Sequence, residues 1–129
     1  MKAIDNLIDR SYTYLNSAQL LYEAGDYESS VSRTYYAMFF AVEAILLTKN
    51  KKTSTHKGIL LVFGDEFIRT GQLPKEMSVE FKNAFLKRQL GDYKPERIIT
   101  EEEAEEVLEK GNEFVEKIVA FLKKNKYLK

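Results

Sequence analysis

Apolar residues return at helical spacing along almost the whole chain. Ile4, Leu7, Ile8, Leu15, Ala18, Leu21 and Tyr22 fall on one face at intervals of three and four, which predicts a first helix. Gly25 sits where a helix-terminating glycine belongs, and Asp26 can cap a second helix with Glu28 in its first turn. That second helix should run to about Asn50, and Lys49 to Thr55 reads as a loop. Ile59 to Ile68 predicts a third helix closed by Gly71, and Pro74 opens a fourth with Met77, Phe81, Ala84, Phe85 and Leu86 as its apolar face. The fourth should stop near Gly91, because Pro95 biases Lys94 away from helical dihedrals. Thr100 with Glu103 three residues on has the pattern of a capping box for a fifth helix. There Ala104, Val107, Leu108, Gly111, Phe114, Val115, Ile118 and Leu122 form one stripe. Glu101, Glu102 and Glu103 at its start and Lys123, Lys124 and Lys126 at its end suit the helix dipole.

No stretch alternates with the period of two that marks a half-buried strand. The expected fold is therefore all-α, an up-and-down bundle of four or five helices in a single domain over residues 1–129. The second helix differs from the rest. Residues Tyr35, Tyr36, Ala37, Met38, Phe39, Phe40, Ala41 and Val42 are apolar or aromatic all round, with no polar stripe for solvent. It is either the central core helix or a helix buried on two sides, the second by another copy of the chain. On the latter reading Tyr35, Met38 and Phe39 are the candidate dimer contact. Buried tyrosine hydroxyls need partners, so some of these rings should reach the rim.

Composition narrows the chemistry. With 44% apolar positions in 129 residues the chain is no disordered segment, and its size suits one core. The absence of cysteine excludes disulfides, thiolate metal sites and Cys nucleophiles, and the single His excludes any site built on two imidazoles. Twenty basic and twenty acidic residues cancel, so attraction to a polyanion must be local. The N-terminal MKAIDNLIDR is too charged for a signal peptide, and the apolar run from Tyr35 to Val42 falls short of the ~20 residues that span a bilayer. A soluble, cytoplasmic protein with no membrane contact is expected.

No glycine-rich phosphate loop, di-iron ligand pattern or serine elbow is present, and no metal or cofactor is expected. The carboxylates of the fifth helix read as a solvated face. If the helices alternate in direction, one end of the bundle gathers Lys49, Lys51, Lys52, His56 and Lys57 from one loop and Lys87, Arg88, Lys94 and Arg97 from another. Such an end can attract phosphate, or can simply keep the bundle end soluble. Arg88-Gln89-Leu90-Gly91-Asp92-Tyr93 is more specific. Arg88 offers a planar donor fork, Asp92 can orient it and Tyr93 adds a hydroxyl. Alternatively, Asp92 caps a chain reversal and pairs with Arg88.

The stretch SRTYYAMFFAVEAILL (Ser32 to Leu47), then THKGI (Thr55 to Ile59), RQLGDY and EEAEEVLEKGNEFVEKI, resembles in order the HEPN family, named for higher eukaryote and prokaryote nucleotide binding. The resemblance covers nearly the whole chain and is to the small stand-alone prokaryotic branch. It implies a four- to five-helix bundle, commonly a homodimer. Many such proteins are metal-independent RNases, often toxins encoded beside a minimal nucleotidyltransferase antitoxin. Their active sites use an Arg followed about four to six residues later by a His, joined across a dimer interface. Arg88 stands at that position, but Tyr93 replaces the His, and no other His lies between residues 57 and 129. A tyrosine of ordinary pKa about 10 is a poor general base at neutral pH. His56 can take the role only if the fold carries it to Arg88.

Other members of the family bind nucleotides or RNA without cleaving them, and Tyr93 is also a possible target of nucleotidylation. The expectation is a homodimer that binds nucleotide or RNA through Arg88, Asp92, Tyr93, Lys52 and Lys57, paired with a minimal nucleotidyltransferase. The alternative is an RNase toxin using Arg88 with Tyr93 or His56.

Overall fold

The computed structural model describes residues 2–93 and 99–129, with the side chains of residues 91–93 outside that description. Its elements are α1 (Lys2–Glu23), α2 (Tyr27–Leu47), α3 (His56–Phe63), a π-helical turn at Gly64–Ile68, α4 (Glu76–Tyr93) and α5 (Glu101–Lys124). Among the described residues there is no strand, and no helix is long and apolar enough to cross a membrane.

Local signals set the ends. Gly25 adopts φ +82°, and the amides of Gly25 and Asp26 donate back to the carbonyls of Tyr22 and Leu21 at 3.0 and 2.9 Å. A side chain there would strain the backbone, which is why a glycine closes α1. Asp26 then accepts the Ser29 amide, and Thr55 accepts that of Gly58 at 3.0 Å. Thr100 and Glu103 exchange both bonds of the capping box.

Other boundaries shift by a few residues. α2 ends at Leu47 rather than near Asn50, because Thr48 to Asn50 turn back on its last carbonyls and Asn50 takes φ +56°. α3 starts at His56, three residues before Ile59, since the Thr55 cap organises the turn ahead of the apolar face. α4 opens at Glu76, with Pro74 in the preceding turn, and runs through Tyr93.

Two pairs of bonds fix helix direction. Ser11 Oγ donates to the Ala37 carbonyl at 2.7 Å and Ser30 Oγ to the Ala18 carbonyl at 2.8 Å, so α1 and α2 are antiparallel. Tyr12 and Tyr22 donate to Glu116 and Glu105, so α5 lies antiparallel on α1 as well. The two serine hydroxyls are fully buried, so each must find a partner inside the protein.

α2 is the centre. It packs on α1, α3, α4 and α5 at once, and Ala37, Ala41, Val42, Ala44 and Ile45 are wholly enclosed. Small residues let the neighbours close in. At Gly111 of α5 an added Cβ would overlap Thr34 Cγ2 of α2, so this crossing tolerates hydrogen alone. A chain of fully buried rings, Phe67, Phe63, Phe114 and Phe81, then runs through the core toward Tyr35. Each contributes roughly 2–3 kcal/mol by its burial.

Candidate functional site

The ring chain ends at a cluster drawn from three helices. Tyr35 of α2 lies nearly parallel to Phe81 of α4, with centroids 5.7 Å apart. Phe81, Phe85 and Arg88 follow at intervals of four and three, which puts them on one face of α4 turned toward α2. His56, the first residue of α3, lies flat on Phe85 with centroids 3.7 Å apart and an interplanar angle of 6°. The guanidinium carbon of Arg88 stands 5.0 Å from the Tyr36 ring centre and 5.7 Å from that of Tyr35. His56 and Arg88 are thus joined through Tyr35.

Tyr35 Oη and His56 Nδ1 are 2.9 Å apart. Tyr35 is only 2% exposed, and burial, with Tyr36 beside it, raises its hydroxyl pKa far above the usual value against the opposing pull of Arg88. A buried hydroxyl must place its proton, and Nδ1 is its hydrogen-bond partner among the described residues. In the tautomer where the hydroxyl donates and Nδ1 accepts, the neutral ring carries its proton on Nε2. Burial also lowers the imidazole pKa, which favours this neutral form. In that tautomer His56 presents an N–H donor, and its basic lone pair is already in use.

The remaining positions divide. Tyr35 and Met38, at 2% and 1% exposure, are enclosed in the protein's own core and leave a second copy little of their surface to meet. Four helices pack on α2, while Tyr36, Phe39 and Phe40 stay half-buried. The basic end is partly neutralised from within. Lys87 donates to Glu103 at 2.5 Å, Lys51 lies 3.9 Å from Glu66, and Lys49 rests over Phe67. Lys52 and Lys57 are exposed, and no contact given for them joins the Arg88 cluster. The side chains of Asp92 and Tyr93, together with Lys94 and Arg97, lie outside the described residues. Sequence reading missed Tyr35 as the link and Phe85 as the shelf for His56. The four-and-three spacing of Phe81, Phe85 and Arg88 was the signal that could have found that face.

An all-helical bundle with an arginine seated on aromatic rings beside an imidazole defines the class, and the chain belongs to the HEPN domain family, whose pattern matches residues 4–125. Among its relatives is the protein named "Putative toxin MJ0142" of Methanocaldococcus jannaschii, 37% identical over 99% of this chain and 87% of the relative. A UPF0332 protein of Thermotoga maritima is 34% identical over 95% of this chain and 96% of its own. "Putative toxin MJ0605" of the same Methanocaldococcus is 33% identical over 93% and 89%.

Proposed function

We propose that this protein is a toxin-type HEPN protein that binds RNA through Arg88 and His56 without cleaving it, and that a minimal nucleotidyltransferase is its partner. The observation that carries this reading is the joining of Arg88 and His56 through Tyr35, which leaves Nε2 as the imidazole donor when the Tyr35 hydroxyl donates to Nδ1. The guanidinium supplies a planar fork for phosphate oxygens, and the Nε2 proton supplies a second donor on the same cluster. Hydrolysis without metal needs a base to take the 2′-hydroxyl proton. The imidazole lone pair that would do so accepts from Tyr35 instead. The relatives named "Putative toxin" support the toxin-type reading.

A second reading, a metal-independent RNase using Arg88 with His56, draws on the same proximity. It requires the Tyr35 bond to break so that Nδ1 is released. The test is binding of a labelled single-stranded RNA by fluorescence anisotropy, with cleavage followed on gels in chelator. Arg88→Ala should weaken binding by ten- to a hundredfold, as expected for losing a charged hydrogen-bond pair of roughly 1.5–3 kcal/mol. The wild type should leave the RNA intact. Chelator-resistant cleavage that disappears in both Arg88→Ala and His56→Ala would replace the first reading by the second. Co-expression with a nucleotidyltransferase encoded beside it should change the RNA affinity, and no effect would remove the partner from the proposal.

A further inference from the structure

Beside the Arg88 cluster, α1 and α2 share an aromatic surface that the fold does not cover. Tyr14 of α1 and Tyr36 and Phe40 of α2 touch one another in a triangle, with centroid separations of 6.5 Å (Tyr14–Tyr36), 5.0 Å (Tyr14–Phe40) and 6.4 Å (Tyr36–Phe40). All three are half-buried. Each carries one guanidinium on its face: Arg33 over Tyr14 at 4.9 Å, Arg10 over Phe40 at 4.8 Å and Arg88 over Tyr36 at 5.0 Å. Arg10 and Arg33 are exposed and make no ion pair among the described residues. Arg10 acts electrostatically on Glu43, which is half-buried and shared with Lys52.

A guanidinium seated over a ring face is already restrained, so each Arg loses little freedom when it binds. The result is an aromatic surface edged by the exposed cations Arg10 and Arg33, with Arg88 beside it. Two kinds of group complement it together: phosphate oxygens on the edges and unpaired bases on the planes. A duplex offers phosphates but keeps its base faces stacked away. A second copy of this chain would set three guanidiniums against three, an unfavourable meeting of like charges.

We propose that the triangle of Tyr14, Tyr36 and Phe40 with Arg10, Arg33 and Arg88 is a platform for single-stranded RNA, extending the Arg88 site along α1 and α2. The platform rests on the RNA-binding reading and adds to it a preference for unpaired bases and two further residues, Arg10 of α1 and Arg33 of α2.

The experiment compares a fluorescein-labelled oligouridine with a blunt RNA duplex of equal length, across a salt series. The wild type should bind the oligouridine at least about tenfold more tightly than the duplex. Arg10→Gln/Arg33→Gln should weaken oligouridine binding about tenfold or more and lower the salt slope by roughly 1.4, at about 0.7 per lost cation. Arg10→Lys/Arg33→Lys should keep the slope but not the affinity, because lysine cannot stack. Both side chains are exposed, so the variants should melt like the wild type. Unchanged oligouridine affinity in the Gln pair, while Arg88→Ala abolishes binding, overturns the platform and leaves the RNA reading standing. Absence of RNA binding by the wild type overturns both. If the Gln pair instead converts a sedimenting dimer to monomer without altering RNA affinity, the surface belongs to a second copy and the proposal fails.

Discussion

Replacing Tyr35 by Phe removes one hydroxyl and leaves the ring on Phe81 in place. The bond lost is the 2.9 Å contact to His56 Nδ1. A hydrogen bond of this kind is worth about 0.5–1.5 kcal/mol net, and an orphaned polar atom adds about 1–3 kcal/mol when fully buried. His56 is half-buried, so water meets part of that need, and the sum comes to about 1–2 kcal/mol. With an unfolding entropy of roughly 2.1 cal/mol/K per residue, Tm should fall by about 4–7 °C.

The pH dependence carries a sign. In the wild type the folded imidazole titrates below the unfolded value of about 6.5, held down by burial. As pH falls through 6.5 the unfolded chain takes up the proton first, so stability is full above that pH and declines below it, toward the folded pKa. The Tyr35 hydroxyl donates only to a ring whose Nδ1 is bare and so adds to the depression. Tyr35→Phe should therefore raise the His56 pKa toward 6.5 and shrink the acid loss of stability. With one histidine in the chain, ¹⁵N-histidine labelling yields a single pair of ring-nitrogen resonances, and their titration gives both tautomer and pKa. A pKa that stays put or falls in Tyr35→Phe would show that Nδ1 donates and Tyr35 accepts. His56 Nε2 would then be a free base, and the argument against cleavage would collapse.

Two further outcomes follow from packing and charge. Gly111→Ala forces a methyl into Thr34 Cγ2. An overpacking cost of about 1–3 kcal/mol should exceed the roughly 1 kcal/mol gained in helix propensity, and Thr34→Ser in the same chain should recover most of the urea midpoint. Restoration absent in the double variant would refute the close crossing. Glu103 is held down to about 2 by Lys87 and by the Thr100 amide. Its contribution should be present above the usual carboxylate pKa and vanish as pH falls toward 2, so Glu103→Gln should flatten the acid limb of a stability–pH curve between about 4.5 and 2.

Where one short-range signal decides, the sequence could be read. The Gly25 reversal, the Asp26 cap and the Thr100–Glu103 box stand as the residue types required, since each depends on neighbours within four positions. Errors arise where tertiary contacts decide. The apolar run of α2 looks the same whether four helices of one chain or a second chain cover it, and only the packing shows that Tyr35 and Met38 lie in the chain's own core. The π-helical turn after Phe63 leaves no mark in the apolar spacing of Ile59 to Ile68. Arg88 could be picked out by its place in a motif. The partnership of His56 with Tyr35 joins positions 21 residues apart on different helices, and nothing in either residue's local pattern announces it.

The tyrosine–glutamate bonds between α1 and α5 span 104 and 83 residues, whereas α1 and α2 meet across the short turn at Gly25. Chain entropy penalises the long closure more than the short one. Assembly should therefore begin with the α1–α2 hairpin, and α5 should dock afterwards onto a wall already formed. Arg10, Tyr14, Arg33, Tyr36 and Phe40 all belong to that hairpin. During synthesis the cationic, aromatic surface of α1 and α2 is thus complete before Arg88 and α5 have emerged, and a nascent chain would present it ahead of the finished bundle.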